Sequence, residues 1–180
     1  TKDIRQPSQG NTKAFLKIPN AEIMDIFRKS VVRWFDEQIA VRDRSSLFIA
    51  LWNEDSERLS ELISDLLFET ISYYDYAESF YHAFLAGLFA NAGYIVESNY
   101  ESGLGRPDLI IKDKKKRQAV IIEIKIADGM QSLQKAAEKA KGQIDDMRYA
   151  DGISAQGYQK VIKYGAAFYQ KNCLISISEI

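Results

Sequence analysis

The chain has 180 residues, enough for one sizeable core or for a core with a helical appendage. Its 24 basic and 25 acidic side chains leave a net charge of −1, so nothing attracts a polyanion globally, and contact with nucleic acid must come from a local patch. One cysteine, Cys173, and one histidine, His82, exclude an intrachain disulfide, a thiolate metal cluster and a multi-histidine zinc site within this chain. There is no signal peptide and no apolar run long enough to span a bilayer, so a reducing, cytoplasmic compartment is expected. A chain that opens on Thr1 rather than Met is expected to be a piece of a longer protein.

Residues 1–20 are polar and hold two of the three prolines, which predicts a linker or extended arm closed by Asn20 as an N-cap. Ile23, Phe27, Val31, Trp34 and Phe35 recur at helical spacing and predict a helix over 21–39. A short helix over Ser45–Trp52 follows, then a third over Asn53–Ile71 with Leu59, Leu62, Ile63, Leu66 and Leu67 on one face. Residues 21–71 thus read as a helical subdomain whose apolar side chains form core, not a cofactor box. The next helix is expected over Asp75–Ala92, ended by Gly93. Asp75 and Glu78 match a capping box, a structural use for Glu78. His82 lies one turn further on the same face, where a structural role and a substrate contact are both open. Tyr73, Tyr74, Tyr76 and Tyr81 serve either packing or base stacking.

Tyr94–Tyr100 predicts a strand and 101–105 a glycine-punctuated loop without the spacing or lysine of a phosphate loop. A second strand is expected over Gly105–Ile111, with Pro107 suited to its start. Arg106 is placed either for a phosphate or for a salt bridge. Lys112–Arg117, five basic residues and one acid, forms a turn that is either solvated or in contact with a nucleic-acid backbone. The chain returns as Ala119–Ile126, an apolar strand broken by Glu123 and Lys125. Alternation puts those two charges on one face and Ile122, Ile124 and Ile126 on the other, towards a core. A carboxylate and an ammonium so placed make either a structural ion pair or half of an active site. Folding the hairpin about Lys115-Lys116 sets Asp108 roughly opposite Glu123, within one residue of register. Two opposed carboxylates repel unless a cation lies between them, and a hard, oxygen-ligated dication such as Mg²⁺ suits the pair.

A helix over Met130–Tyr149 is predicted by a seam of Met130, Leu133, Ala137, Ala140, Ile144 and Met147, with Gln143 at its border. Strands over Lys160–Tyr169 and Leu174–Ile177 end the chain, with Cys173 as a small buried side chain. The order after residue 72 is helix, three strands, helix, two strands: an α/β layout around a central mixed sheet.

Pro107-Asp108, fourteen intervening residues and then Glu123-Ile124-Lys125 resemble the PD-(D/E)xK motif of the restriction-endonuclease-like nucleases. The ordered series Ser72-Tyr73-Tyr74-Asp75, Glu78-Ser79-Phe80-Tyr81-His82, Gly105-Arg106-Pro107-Asp108, Glu123-Ile124-Lys125 and Gln143-Ile144 is similar to one bacterial and archaeal branch, found at the C-terminus of predicted AAA-ATPase-like proteins. The resemblance covers residues 72–180 and implies a restriction-endonuclease-like core there. It implies Mg²⁺-dependent hydrolysis of nucleic acid, with DNA as the expected substrate and Mn²⁺ as a substitute ion. Asp108, Glu123 and the Ile124 carbonyl would ligate the metal, and Lys125 would steady the transition state. Glu78 would lean in from the first helix. Gln143 would reach the centre from the second, with Tyr149 beside it. An ATPase-like domain would be the missing neighbour. Two other readings stand beside this one: a catalytically silent module of the same fold, serving nucleic-acid or protein interaction, and an unrelated α/β domain with a structural Glu123–Lys125 pair.

Overall fold

The computed structural model describes residues 44–70, 77–98 and 105–177. The arm and helix expected over 1–39, and the subdomain boundary expected at 71/72, lie outside the described residues. The described elements are α1 (Ser45–Trp52), α2 (Ser56–Thr70), α3 (Glu78–Asn91), β1 (Ile95–Ser98), β2 (Leu109–Asp113), β3 (Gln118–Ile126), a 3₁₀ turn (Met130–Ser132), α4 (Leu133–Asp146), α5 (Tyr149–Ala155), β4 (Lys160–Tyr169) and β5 (Asn172–Ile177). The strands form one sheet in the order β1-β2-β3-β4-β5. All neighbours are antiparallel except β3 and β4, which run parallel through the α4–α5 crossover. This is the mixed α/β layout expected, and it is consistent with a restriction-endonuclease-like fold.

Alternation along β3 assigns the two faces of the sheet. Val120, Ile122 and Ile124 join Leu109 and Ile111 in a core that also takes Leu47 and Leu51 of α1, Leu59, Ile63 and Leu67 of α2, and Tyr81, Phe84 and Leu88 of α3. The described part of the helical segment therefore shares one core with the sheet. Ala119 and Ile121 face the other way, with Ile110, against Ile144, Tyr149 and Ile153 of α4 and α5. Ile126 departs from expectation: it ends the strand 39% exposed, beyond the cover of the helices.

Several boundaries move for identifiable reasons. Helix α2 starts at Ser56 instead of Asn53, because Glu54 takes a left-handed φ of 65° and the Asp55 carboxylate accepts the Arg58 N–H at 3.0 Å as the cap. Helix α3 ends as expected: Gly93 has φ 85°, and the Gly93 and Tyr94 N–H groups bond back to the Ala90 and Phe89 carbonyls. The long helix expected over 130–149 is three elements. Arg148, at φ 53°, breaks it, and a separate α5 follows. Leu133, Ala137, Ala140 and Ile144 are buried as expected, whereas Met130 and Met147 lie beyond α4 and are exposed at 52% and 37%.

Among the described strands β5 lies at the edge, and α2 covers it. The outward N–H groups of Cys173 and Ile175 donate to Ser64 Oγ and Ser60 Oγ, each at 2.9 Å. One helical step of four residues (about 6 Å) nearly matches two strand residues (about 6.8 Å), so serines four apart meet alternate strand amides. Ser60→Ala leaves the Ile175 amide without its acceptor, and an expected loss of about 1–3 kcal/mol should appear as a lower denaturant midpoint at unchanged slope.

Candidate active site

The β2–β3 hairpin turns through Lys114–Arg117, where the Asp113 carboxylate accepts the Lys115 and Lys116 amides at 2.9 and 3.0 Å. That turn fixes the register as Leu109 against Ile122, and the same register carried one step further sets Asp108 opposite Glu123. Strand β2 begins at Leu109, later than expected, so Arg106, Pro107 and Asp108 precede it. Asp108, Glu123 and Lys125 share the sheet face with Ile110, Ile121 and Ala127. On this face the apolar packing is split in two. Ile110 and Ile121 belong to one cluster, and Ala127 joins Leu133, Ala137 and Ala167 in another. The three polar side chains lie at the division. The basic turn lies at the hairpin's other end, five residues or about 17 Å along β2 from Asp108.

Glu123 is 2% exposed. One of its oxygens accepts the Lys125 ammonium at 2.8 Å, while Oε2 is buried with no hydrogen-bond partner. Asp108 Oδ2 accepts the Ile124 N–H at 2.8 Å. In an extended strand a residue's N–H and C=O point to the same side, so the Ile124 carbonyl also faces Asp108. Burial pushes the Glu123 carboxyl up, the Lys125 hydrogen bond opposes this, and the Asp108 charge adds to the rise; the net shift is upward. Burial alone would lower Lys125, but the Glu123 hydrogen bond and the charges of Glu123, Asp108 and Glu78 outweigh it and hold the ammonium protonated.

Helix α3 brings two of the expected residues to the site. It begins at Glu78 with Ala77 as N-cap, and Ala77 makes no side-chain cap bond. Glu78 is therefore the first helical residue and not the third-position acid of a capping box. It is exposed, and its charge reaches Lys125. His82 Nε2 lies 2.9 Å from the Asp108 carbonyl oxygen and 2.9 Å from Ser98 Oγ. Arg106 is exposed in the segment that leads into Asp108.

Helix α4 lies hard against the sheet beside Glu123, and Gly165 lets it. Gly165 pairs with Glu123 across β3 and β4. A Cβ there would overlap the Ala137 carbonyl oxygen and the Lys141 amide nitrogen of α4. Gln143, on the same helix, is half-buried. Tyr149, expected beside the centre and as a tentative substrate contact, is 2% exposed, in the core between α5 and the sheet, where substrate does not reach it. Its ring and hydroxyl would each lie 3.2 Å from a Cβ on Gly105, so Tyr149 supports the strand-entry segment from below. Sequence reasoning did not find Gly165 or the Gly105–Tyr149 contact. The one available signal was a glycine inside an apolar strand, which often marks close backbone approach. Lys112, expected in the basic turn, lies instead in β2: it is 4% exposed and bound to Glu97 at 2.6 Å and Gln156 at 2.9 Å, tying α5 to β1 and β2.

The family model of the PD-(D/E)XK nuclease superfamily matches residues 76–177. The chain belongs to the PD-(D/E)XK nuclease superfamily. No curated protein sequence matches it. The superfamily match spans α3 to β5 and takes in Asp108, Glu123 and Lys125. It overturns the reading of an unrelated α/β domain. Members of this superfamily are generally nucleases that use divalent metals.

Among the described residues of this PD-(D/E)XK domain, no three His, Cys, Asp or Glu side chains are grouped to hold a metal ion. An ion here would rest on two carboxylates and the Ile124 carbonyl, all hard oxygen donors, and fill the remaining positions with water, as Mg²⁺ does. The buried, unpartnered Glu123 Oε2 fits that donor set. No helix among the described residues is long and apolar enough to cross a membrane.

Proposed function

We propose that this domain hydrolyses phosphodiester bonds of nucleic acid, with DNA as substrate and Mg²⁺ as the ion. One observation carries the reading: Asp108 and Glu123 stand in register on one sheet face, and a buried Glu123 oxygen lacks a partner. Lys125 already pairs with the other oxygen, and a buried carboxylate oxygen left without a partner costs about 1–3 kcal/mol or more, which an ion at that oxygen would offset.

Asp108, Glu123 and the Ile124 carbonyl would hold the ion, and Mn²⁺ would substitute. The bound ion supplies Lewis-acid activation of the phosphodiester and of the attacking water. Lys125 stays protonated beside Glu123 and offers a fixed positive charge to the phosphoryl oxygens as negative charge builds on them. Glu78, at the exposed start of α3, orients water at the mouth of the site. Gln143 contributes a neutral amide from α4, and Arg106 offers a guanidinium to a neighbouring phosphate. The reading extends to a protein in which this domain follows an ATPase-like neighbour, on the resemblance of the ordered motif series.

The raised Glu123 carboxyl gives a pH signature. A carboxyl that holds its proton more tightly folded than unfolded stabilises the ion-free protein most below the unfolded value, and that contribution is lost as pH rises through the folded value. Metal binding needs the ionised form, so the rise in Tm on adding Mg²⁺ runs the other way. It should be absent well below the Glu123 pKa and grow as pH passes through it, above the ordinary carboxylate range. A calorimetric pH series with and without Mg²⁺ measures this, and a pH-independent rise would contradict it.

Activity is tested with labelled single- and double-stranded DNA and RNA, with and without Mg²⁺. Metal-dependent cleavage of DNA that is lost in Asp108→Ala and Lys125→Ala supports the proposal. Metal-independent binding without cleavage, unaffected by Asp108→Ala, would favour the silent module.

A further inference from the structure

We infer that His82 is a positioning residue: its imidazole holds the Asp108 carbonyl and so fixes the backbone from which that carboxylate projects. The inference rests on the metal-site reading above and assigns His82 a role other than touching substrate or ion.

Among the described residues the last pair of the β1–β2 ladder is Ser98 and Leu109. Asp108 immediately precedes β2, and its carbonyl lies beyond that pair. His82 Nε2 meets that carbonyl oxygen at 2.9 Å. A carbonyl oxygen only accepts, so the bond requires hydrogen on Nε2. Ser98 Oγ, 2.9 Å from the same nitrogen, then accepts a share of the same N–H. With its hydrogen committed in this way, Nε2 has no lone pair for a metal ion or for a proton from water.

Asp108 is thereby held through its main chain as well as its carboxylate. Helix α3 holds its main chain through His82, and β3 holds its carboxylate through the Ile124 N–H at 2.8 Å. His82 lies four residues after Glu78 on one face of α3. The contact that fixes Asp108 therefore also fixes the turn of α3 that carries the Glu78 charge towards Lys125.

The test compares His82→Ala and His82→Gln with the parent protein by Mn²⁺ titration, cleavage kinetics and thermal melting. The parent's imidazole nitrogens are observed by ¹⁵N NMR. Glutamine carries an N–H at nearly the reach of Nε2 and has no ring to protonate. The expected results are a hydrogen on Nε2 in the parent, Mn²⁺ affinity about 10–100-fold weaker in His82→Ala, as is typical when support to a metal ligand is removed, and recovery of most of that affinity in His82→Gln with the parent's pH profile. A bare Nε2 would overturn the inference. So would parent-like Mn²⁺ affinity in His82→Ala, or a folded His82→Gln that fails to recover, which would make the ring itself a ligand. Failure of the nuclease reading looks different: a parent that binds Mn²⁺ but cleaves nothing discards catalysis while the Mn²⁺ and NMR results still decide on His82. A parent that binds no Mn²⁺ removes the metal site and this inference together.

Discussion

Asp108→Asn should abolish cleavage while leaving the fold intact or firmer. Asparagine keeps a side-chain oxygen for the Ile124 N–H, which Asp108 accepts at 2.8 Å. What it removes is one of two opposed negative charges. The Asp108 charge raises the Glu123 carboxyl, so its loss should bring Glu123 back towards the ordinary range. The ion-free variant should melt at the same temperature as the parent or higher, the usual direction when strain at a functional site is relieved. Activity should move the opposite way. Lewis-acid stabilisation of a phosphoryl transition state is worth several kcal/mol, and about 4 kcal/mol corresponds to roughly a thousandfold in rate. Cleavage rates at saturating Mg²⁺, paired with melting curves, measure both halves. A destabilised Asp108→Asn would mean that the carboxylate is chiefly structural. An active one would remove it from the metal site.

Gly165→Ala is the structural counterpart. The added methyl would meet backbone atoms of α4, the Ala137 carbonyl and the Lys141 amide, and backbone cannot rotate aside as a side chain can. Overpacking typically costs 1–3 kcal/mol, and this site should reach about 3 kcal/mol or more. In a chain of this size that lowers Tm by about 6–12 °C. The damage should not stay local. Gly165 pairs with Glu123, and α4 carries Gln143, so lifting the helix opens the dry side of the site. Mn²⁺ affinity should fall along with stability. Gly142, whose added Cβ would meet nothing, serves as a control: Gly142→Ala should be neutral or slightly stabilising. Equal stability of Gly165→Ala and the parent would contradict the seating of α4 on β4.

The hairpin was legible in the sequence because its signals agree. A β-branched apolar run, a polar turn and period-two alternation all give one register, and that register alone opposes Asp108 and Glu123. Helix α4 was legible only in its middle. Leu133, Ala137, Ala140 and Ile144 carry the helical period, but Met130 and Met147 also fit it while lying outside the helix. Periodicity cannot register that Arg148 takes a left-handed conformation, and α5 was lost for the same reason. It is seven residues long, holds Asp151-Gly152, and offers just Tyr149 and Ile153 as an apolar pair. At Glu78 the capping-box pattern is present, yet the helix starts at that residue. His82 and Gly165 act through contacts with backbone, the Asp108 carbonyl and helix α4, and Gly105 through the Tyr149 side chain, all made by tertiary packing. The Asp108 carbonyl that His82 meets leaves no trace in residue types, and for Gly165 the sequence offered only a glycine inside an apolar strand.

The central claim is that Asp108 and Glu123 form one divalent-metal site, and a Mn²⁺ binding isotherm tests it most directly. The account predicts a Mn²⁺ site, displaced by Mg²⁺, that is lost in Asp108→Asn and in Glu123→Gln while both variants stay folded. Binding that survives both substitutions, or a parent protein that binds no ion at millimolar Mn²⁺, would contradict it.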